Sequence, residues 1–149
     1  MMARMTCFFF LLLPLGLLAQ PKGDLQQQYL RFLRARGYDP YIDRDGDVQF
    51  QAEGLTLYLR VDAQRPTFFR LVLPNFWPIE TAAELAQARR ACDDTNRQVE
   101  GVKLYVQRQN VWLAVEQFMG QPDDFEAWFE PCLAAALLGV KTFRLEMRR

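Results

Sequence analysis

A chain of 149 residues, 50% of them apolar and none of them histidine, holds enough hydrophobic material for one packed domain. It lacks the side chain most used as a general base and as a zinc or iron ligand. Its 18 lysines and arginines balance 18 aspartates and glutamates, which removes any net electrostatic pull toward nucleic acid or an anionic membrane.

The first residues read MMARMT, then CFFFLLLPLGLL, then AQ: a positive charge at Arg4, an apolar run, and a small residue at Ala19. The run is about half the ~20 residues that a membrane-spanning helix needs, and Pro14 and Gly16 interrupt it. A signal peptide over residues 1–19, cut near Ala19, is therefore expected in preference to an anchor. Leu17 is bulkier than the residue preferred three positions before a cut, and Cys7 lies too early to be a lipoprotein cysteine. The mature chain is expected to be periplasmic or secreted, with no membrane attachment after cleavage.

Residues 24–36 place Leu25, Tyr29, Phe32, Leu33 and Arg36 on one side at helical spacing, and Gly37 follows as a stop. Four runs of period two come next, YDPYID, VQFQAE, LTLYLRVD and TFFRLVL, punctuated by Asp45-Gly46, Gly54 and AQRP. In the third run Leu55, Leu57, Leu59 and Val61 share a core face, while Thr56, Tyr58, Arg60 and Asp62 share the other. Pro74 and Pro78 are expected to end the strand pattern. TAAELAQARRACDDTNRQV then reads as an alanine-rich helix with Thr81 and Glu84 in capping-box spacing, ending near Asn96. Two further strands, VKLYVQR and VWLAVEQF, turn at Gln109-Asn110. The last segment is a long helix with box-like spacing from Asp123 to Glu126 and an apolar side that includes Phe125, Trp128, Phe129, Cys132, Leu133, Ala136, Val140, Phe143 and Met147. Pro131 should kink it near Ala127. The fold class is α+β: an antiparallel sheet of five to six strands packed by the N- and C-terminal helices, in the order α-β-β-β(-β)-α-β-β-α.

YIDRDGDVQF, residues 41–50, has acids at alternate positions as a calcium loop does. Counted from Asp43, however, Gly46 falls at position four rather than six and Gly54 stands where a bidentate glutamate belongs, so the stretch reads as a hairpin turn. The group Cys92, Asp93, Asp94 and Asn96 points in different directions around a helix and reads as a solvated helix end. Asn75-Phe76-Trp77 is either an exposed anchor for a partner or an aromatic plug, with the plug preferred. Cys92 and Cys132 either form a disulfide, as export would permit, or remain buried thiols. On parities opposite to the leucine face lie Tyr58, Phe68, Val72, Tyr105 and Trp112, interleaved with Arg60, Arg70, Lys103 and Gln107, a mixture suited to protein contact unless the middle helix covers it.

In this order DRDGDVQF, RPTFFRLVLPNFWPI leading into a helix that ends in Asn96, VKLYV, VWLAVEQF and the terminal helix starting DDFEAWF resemble the YbjN-like family across nearly all of residues 24–147. That resemblance implies a fold of the type III secretion chaperone kind in a small dimeric domain that binds other proteins. Some members are labelled sensory transduction regulators, and there are no catalytic residues to carry over. The chain departs from cytoplasmic chaperone relatives in its export signal and in lacking their strongly acidic charge, so a literal role in type III secretion is not expected.

The expectation is an exported bacterial binding module, not an enzyme, with no cofactor or metal. It forms a homodimer or docks an unidentified protein through the face of Tyr58, Arg60, Phe68, Arg70, Tyr105 and Trp112, or through the alanine-rich helix. The alternative is a carrier of a small apolar ligand between the sheet and the long helix, where Pro131 and Gly139 would loosen packing.

Overall fold

Leu25, Tyr29, Leu30, Phe32 and Leu33 recur at helical spacing and are all buried in the first helix, α1 (Lys22–Ala35). A computed structural model describes residues 22–149; the expected signal peptide lies outside the described residues. Among them, α1 is followed by strands β1 (Tyr41–Ile42), β2 (Val48–Ala52), β3 (Leu55–Leu59) and β4 (Phe68–Pro78), then α2 (Ala82–Gln98), β5 (Val102–Gln107), β6 (Asn110–Phe118) and α3 (Phe125–Glu146). The strands form one six-stranded sheet in the order β1-β2-β3-β4-β6-β5, with every pairing antiparallel. The expected α+β architecture holds.

The period-two pattern sends Val48, Phe50, Leu57, Leu59, Phe69, Leu71, Leu113 and Val115 to one face, where they join a single core with the buried residues of all three helices. Aromatic rings carry much of this packing. Tyr29 meets Phe125 edge-on at 4.7 Å between centroids, Phe32 meets Phe129 at 5.1 Å, and Tyr38 meets Phe50 at 5.2 Å. Trp128, expected on the apolar side of α3, is 42% exposed, because the buried stripe runs through Phe125, Phe129, Cys132 and Ala136 and leaves Trp128 on its flank.

Several turns differ from their sequence expectation. The first hairpin is a five-residue loop, since Ile42 pairs with Val48, and only Gly46 in it has positive φ, at 86°. Asp43 closes the loop itself, its Oδ1 accepting the amides of Asp45 and Asp47 at 2.9 Å each. The two-residue turns are Glu53-Gly54, with φ of 51° and 73°, and Arg108-Gln109, with φ of 47° and 61°, the second one residue earlier than expected.

Pro78 is the last residue of β4, as expected, but Pro74 does not end the strand. Leu73 pairs with Leu113 and Trp77 with Val111, so Pro74, Asn75 and Phe76 bulge opposite Trp112 alone, and a proline without an amide hydrogen is tolerated there. Asn75 takes φ 51°, which a short polar residue accepts more readily than most. The bulge turns Phe76 and Trp77 onto Phe143 of α3, at 5.3 and 5.7 Å between centroids, and Trp77 Nε1 donates to Glu84 at 3.1 Å. This is the plug.

At the start of α2 the Thr81 hydroxyl accepts the Glu84 amide at 3.1 Å, but the Glu84 carboxylate reaches the Glu80 amide at 2.9 Å, one residue before the position a capping box would use. Asn96 is not a C-cap, because the helix runs on to Gln98 and Val99 closes it, its amide donating to the Thr95 carbonyl. Instead the Asn96 side chain accepts the Leu104 amide at 2.8 Å and donates to the Leu104 carbonyl at 3.0 Å, occupying the outer edge of β5. A 3-10 turn, Pro122–Asp124, leads into α3, and Asp124 Oδ2 accepts the amides of Gly120 and Gln121 at the start of that turn, while the N-cap position of α3, Asp124 rather than Asp123, makes no side-chain bond to the helix. The helix continues through Pro131 to Glu146.

Gly139 does not loosen the packing of α3. It is buried, and a Cβ added there would lie 2.8 Å from Leu113 Cδ1, so helix and sheet approach closely there for want of a side chain. Cys92 and Cys132 are both buried free thiols, and burial pushes each up to about 11.

Candidate docking face of the sheet

All three helices bury their apolar sides in the core of the leucine face, so none is available to cover the opposite face. The alanines of α2 serve that internal packing, with Ala88 and Ala91 buried. The strand register then lays one continuous row across the uncovered side: Tyr41, Gln49, Tyr58, Val72, Ala114 and Lys103. Beside it run Arg70 opposite Glu116, Phe68 opposite Phe118, and Tyr105 opposite Trp112. The six residues singled out from the sequence, Tyr58, Arg60, Phe68, Arg70, Tyr105 and Trp112, all belong to this face.

At the centre, Val72 is 3% and Ala114 0% exposed, yet neither is part of the main core. They are shaded by the long side chains around them. Arg70 Nε lies 3.0 Å from Glu116 Oε1 and Lys103 Nζ lies 3.0 Å from Glu116 Oε2, so one carboxylate holds two cations across three strands. Phe68 stacks on Phe118 at 4.7 Å, with the Arg65 guanidinium 5.0 Å from the Phe68 ring. Phe118 is 78% exposed and Tyr41 54%, so the row and its flank end in open aromatic surface. Tyr105 and Trp112 stack at 6.3 Å.

The β4 bulge and the acidic loop both rise beside this face and enclose a concavity of about 170 Å³, lined by Tyr58, Arg60, Val72, Asn75 and Trp112 with Asp43 and Asp45 at its rim. Arg60 is fixed there by buried Asp47, at 2.8 Å, while the other oxygen of Asp47 accepts the Val61 amide. Burial, with smaller contributions from Tyr41, Asp43 and Asp47, holds the Tyr58 hydroxyl above its usual range. The indole Nε1 of Trp112 is shut off from solvent and has no hydrogen-bond partner.

The acidic loop is held from behind rather than opened to an ion. Lys22 Nζ donates to the Asp45 carbonyl at 3.0 Å and Gln26 to the Gly46 carbonyl at 2.8 Å. Sequence reasoning missed Glu116, Phe118, Ala114 and Asn75 as members of the face. The first three follow from extending the parity of Trp112 along β6; Asn75 depends on the bulge and has no such signal. Neither a protein-family model nor a curated protein matches this chain.

Proposed function

We propose that this protein is an exported bacterial binding module without enzymatic activity, docking a protein, a second copy of itself included, through the uncovered sheet face. The observation that carries this reading is a shaded apolar floor, Val72 and Ala114, inside a frame of tryptophan, tyrosine, phenylalanine and arginine with no helix over it. Such a frame has the residue types enriched at protein interfaces, and its arginines are already held in place by Asp47 and Glu116, which lowers the ordering cost of contact. The resemblance to the YbjN-like family and its chaperone-like fold points the same way, and the N-terminal apolar run supports export.

Sedimentation equilibrium at high micromolar concentration, with Trp112→Ala and Arg70→Glu beside the unmodified protein, tests self-docking. Association weakened by either substitution supports it, and a strict monomer indifferent to both counts against it. A photo-crosslinker in place of Trp112 tests docking of a different protein in the exported fraction. An adduct lost on adding Arg70→Glu supports the face, and adducts insensitive to it refute it.

A further inference from the structure

On the helix-covered side of the molecule, the C-terminal half of α3 runs past the β2–β3 turn and leaves a groove of about 450 Å³, within the range of small-molecule sites. Its floor is apolar, with Leu55 from β3 and Leu137 and Leu145 from α3. Leu145 is 50% exposed. Its rim carries Lys141 and Arg144, three apart on one side of the last turns of α3, and Arg148 just past the helix end. All three are exposed, and among the described residues none forms an ion pair or a side-chain hydrogen bond. Arg60, Arg70, Arg97 and Arg149, by contrast, each have a carboxylate.

Cations near a helix C-terminus often serve its carbonyls. Here the Met147 carbonyl is taken by Gln87, and none of the three cations bonds to a carbonyl. Like charges at this spacing repel, so the cluster is complementary to an anion, and the leucines beneath it to a hydrocarbon. The single acid on the lining, Glu53, stands on the opposite wall in the turn.

We propose that this groove binds one long-chain carboxylate, its alkyl chain over Leu55, Leu137 and Leu145 and its head group among Lys141, Arg144 and Arg148. The site is separate from the docking face, so each reading stands or fails alone. The test is calorimetric titration of delipidated protein with dodecanoate below its micelle concentration, against dodecanol, acetate and an acidic amphipathic peptide. One saturable dodecanoate site is expected, weakened about tenfold by Lys141→Glu with Arg144→Glu, and likewise by Leu145→Asp, but unchanged by Arg89→Glu with Arg90→Glu. In the unmodified protein the same affinity should fall with added salt. No saturable binding, equal binding of dodecanol or acetate, tighter binding of the peptide, or indifference to both salt and the rim substitutions would each overturn the proposal.

Discussion

Gly139→Ala sets two known effects against each other. In the interior of a helix, replacing glycine by alanine stabilises by up to about 1 kcal/mol through lost freedom of the unfolded chain. The new Cβ, however, would stand 2.8 Å from Leu113 Cδ1, with Val102 Cγ1 at 3.5 Å and Leu104 Cδ1 at 3.7 Å behind it. Leu113 is 0% exposed and lies on a central strand, so its methyl has no free volume to enter. Overpacking of this kind costs about 1–3 kcal/mol, which exceeds the propensity gain and leaves a net loss of about 1 kcal/mol. Equilibrium unfolding in guanidinium reads this as a lower midpoint with unchanged slope, and heating as a drop of about 3 °C. In a Leu113→Val background, where the opposing methyl is gone, Gly139→Ala should turn neutral or stabilising, a coupling of about 1 kcal/mol or more. A Gly139→Ala protein as stable as the original, or a loss that persists unchanged in the Leu113→Val background, would refute the close-approach argument.

Asn96→Ala removes both bonds to Leu104 and should cost about 1–2 kcal/mol in chemical denaturation, with concentration-dependent association rising as the β5 edge opens. Gly46→Ala should cost about 1–2 kcal/mol, because φ there is 86° and a Cβ would strike the Lys22 side chain; the unfolding midpoint checks it. Cys92 and Cys132 should resist thiol reagents in the native protein at pH 8 and react once it is unfolded. Because burial raises both thiols from 9.0 to about 11, the folded state holds protons that the unfolded chain releases first, so stability is full below pH 9 and falls between pH 9 and 11. Denaturation midpoints across that window should flatten in Cys92→Ala with Cys132→Ala, the remaining slope coming from Tyr29, Tyr38 and Tyr58, which burial raises in the same direction.

Local patterning was the most readable part of the chain. Alternation alone sends Leu57 and Leu59 to the core and Tyr58 to the open face, and the same parity assigns Phe68, Arg70, Tyr105 and Trp112 to that face. What alternation cannot convey is a change of count between partners. Pro78 does close the strand, but Pro74 also looks like a strand breaker by composition, yet the strand resumes after it because three residues oppose one, a fact that resides as much in β6 as in β4. The Asp-Gly pair similarly suggests a two-residue turn, but Asp43 captures two amides and lengthens the loop. Asn96 looks like a helix end because the partner of its amide lies on the next strand. The rim of Lys141, Arg144 and Arg148 is visible as a spacing, but the wall that makes it a groove is supplied by Leu55, far earlier in the chain.

Asn96 also limits how a partner can approach. At the middle of β5 it occupies the amide and carbonyl that an incoming strand would need, and the opposite edge of the sheet is β1, only two residues long. Strand addition, which reads mainly the backbone and so accepts many sequences, is discouraged at both margins. On the proposed docking reading, contact would fall instead on a surface made of side chains, where exchange of a few residues would alter the choice of partner while the sheet beneath keeps its register. Selectivity under that reading would drift independently of the fold.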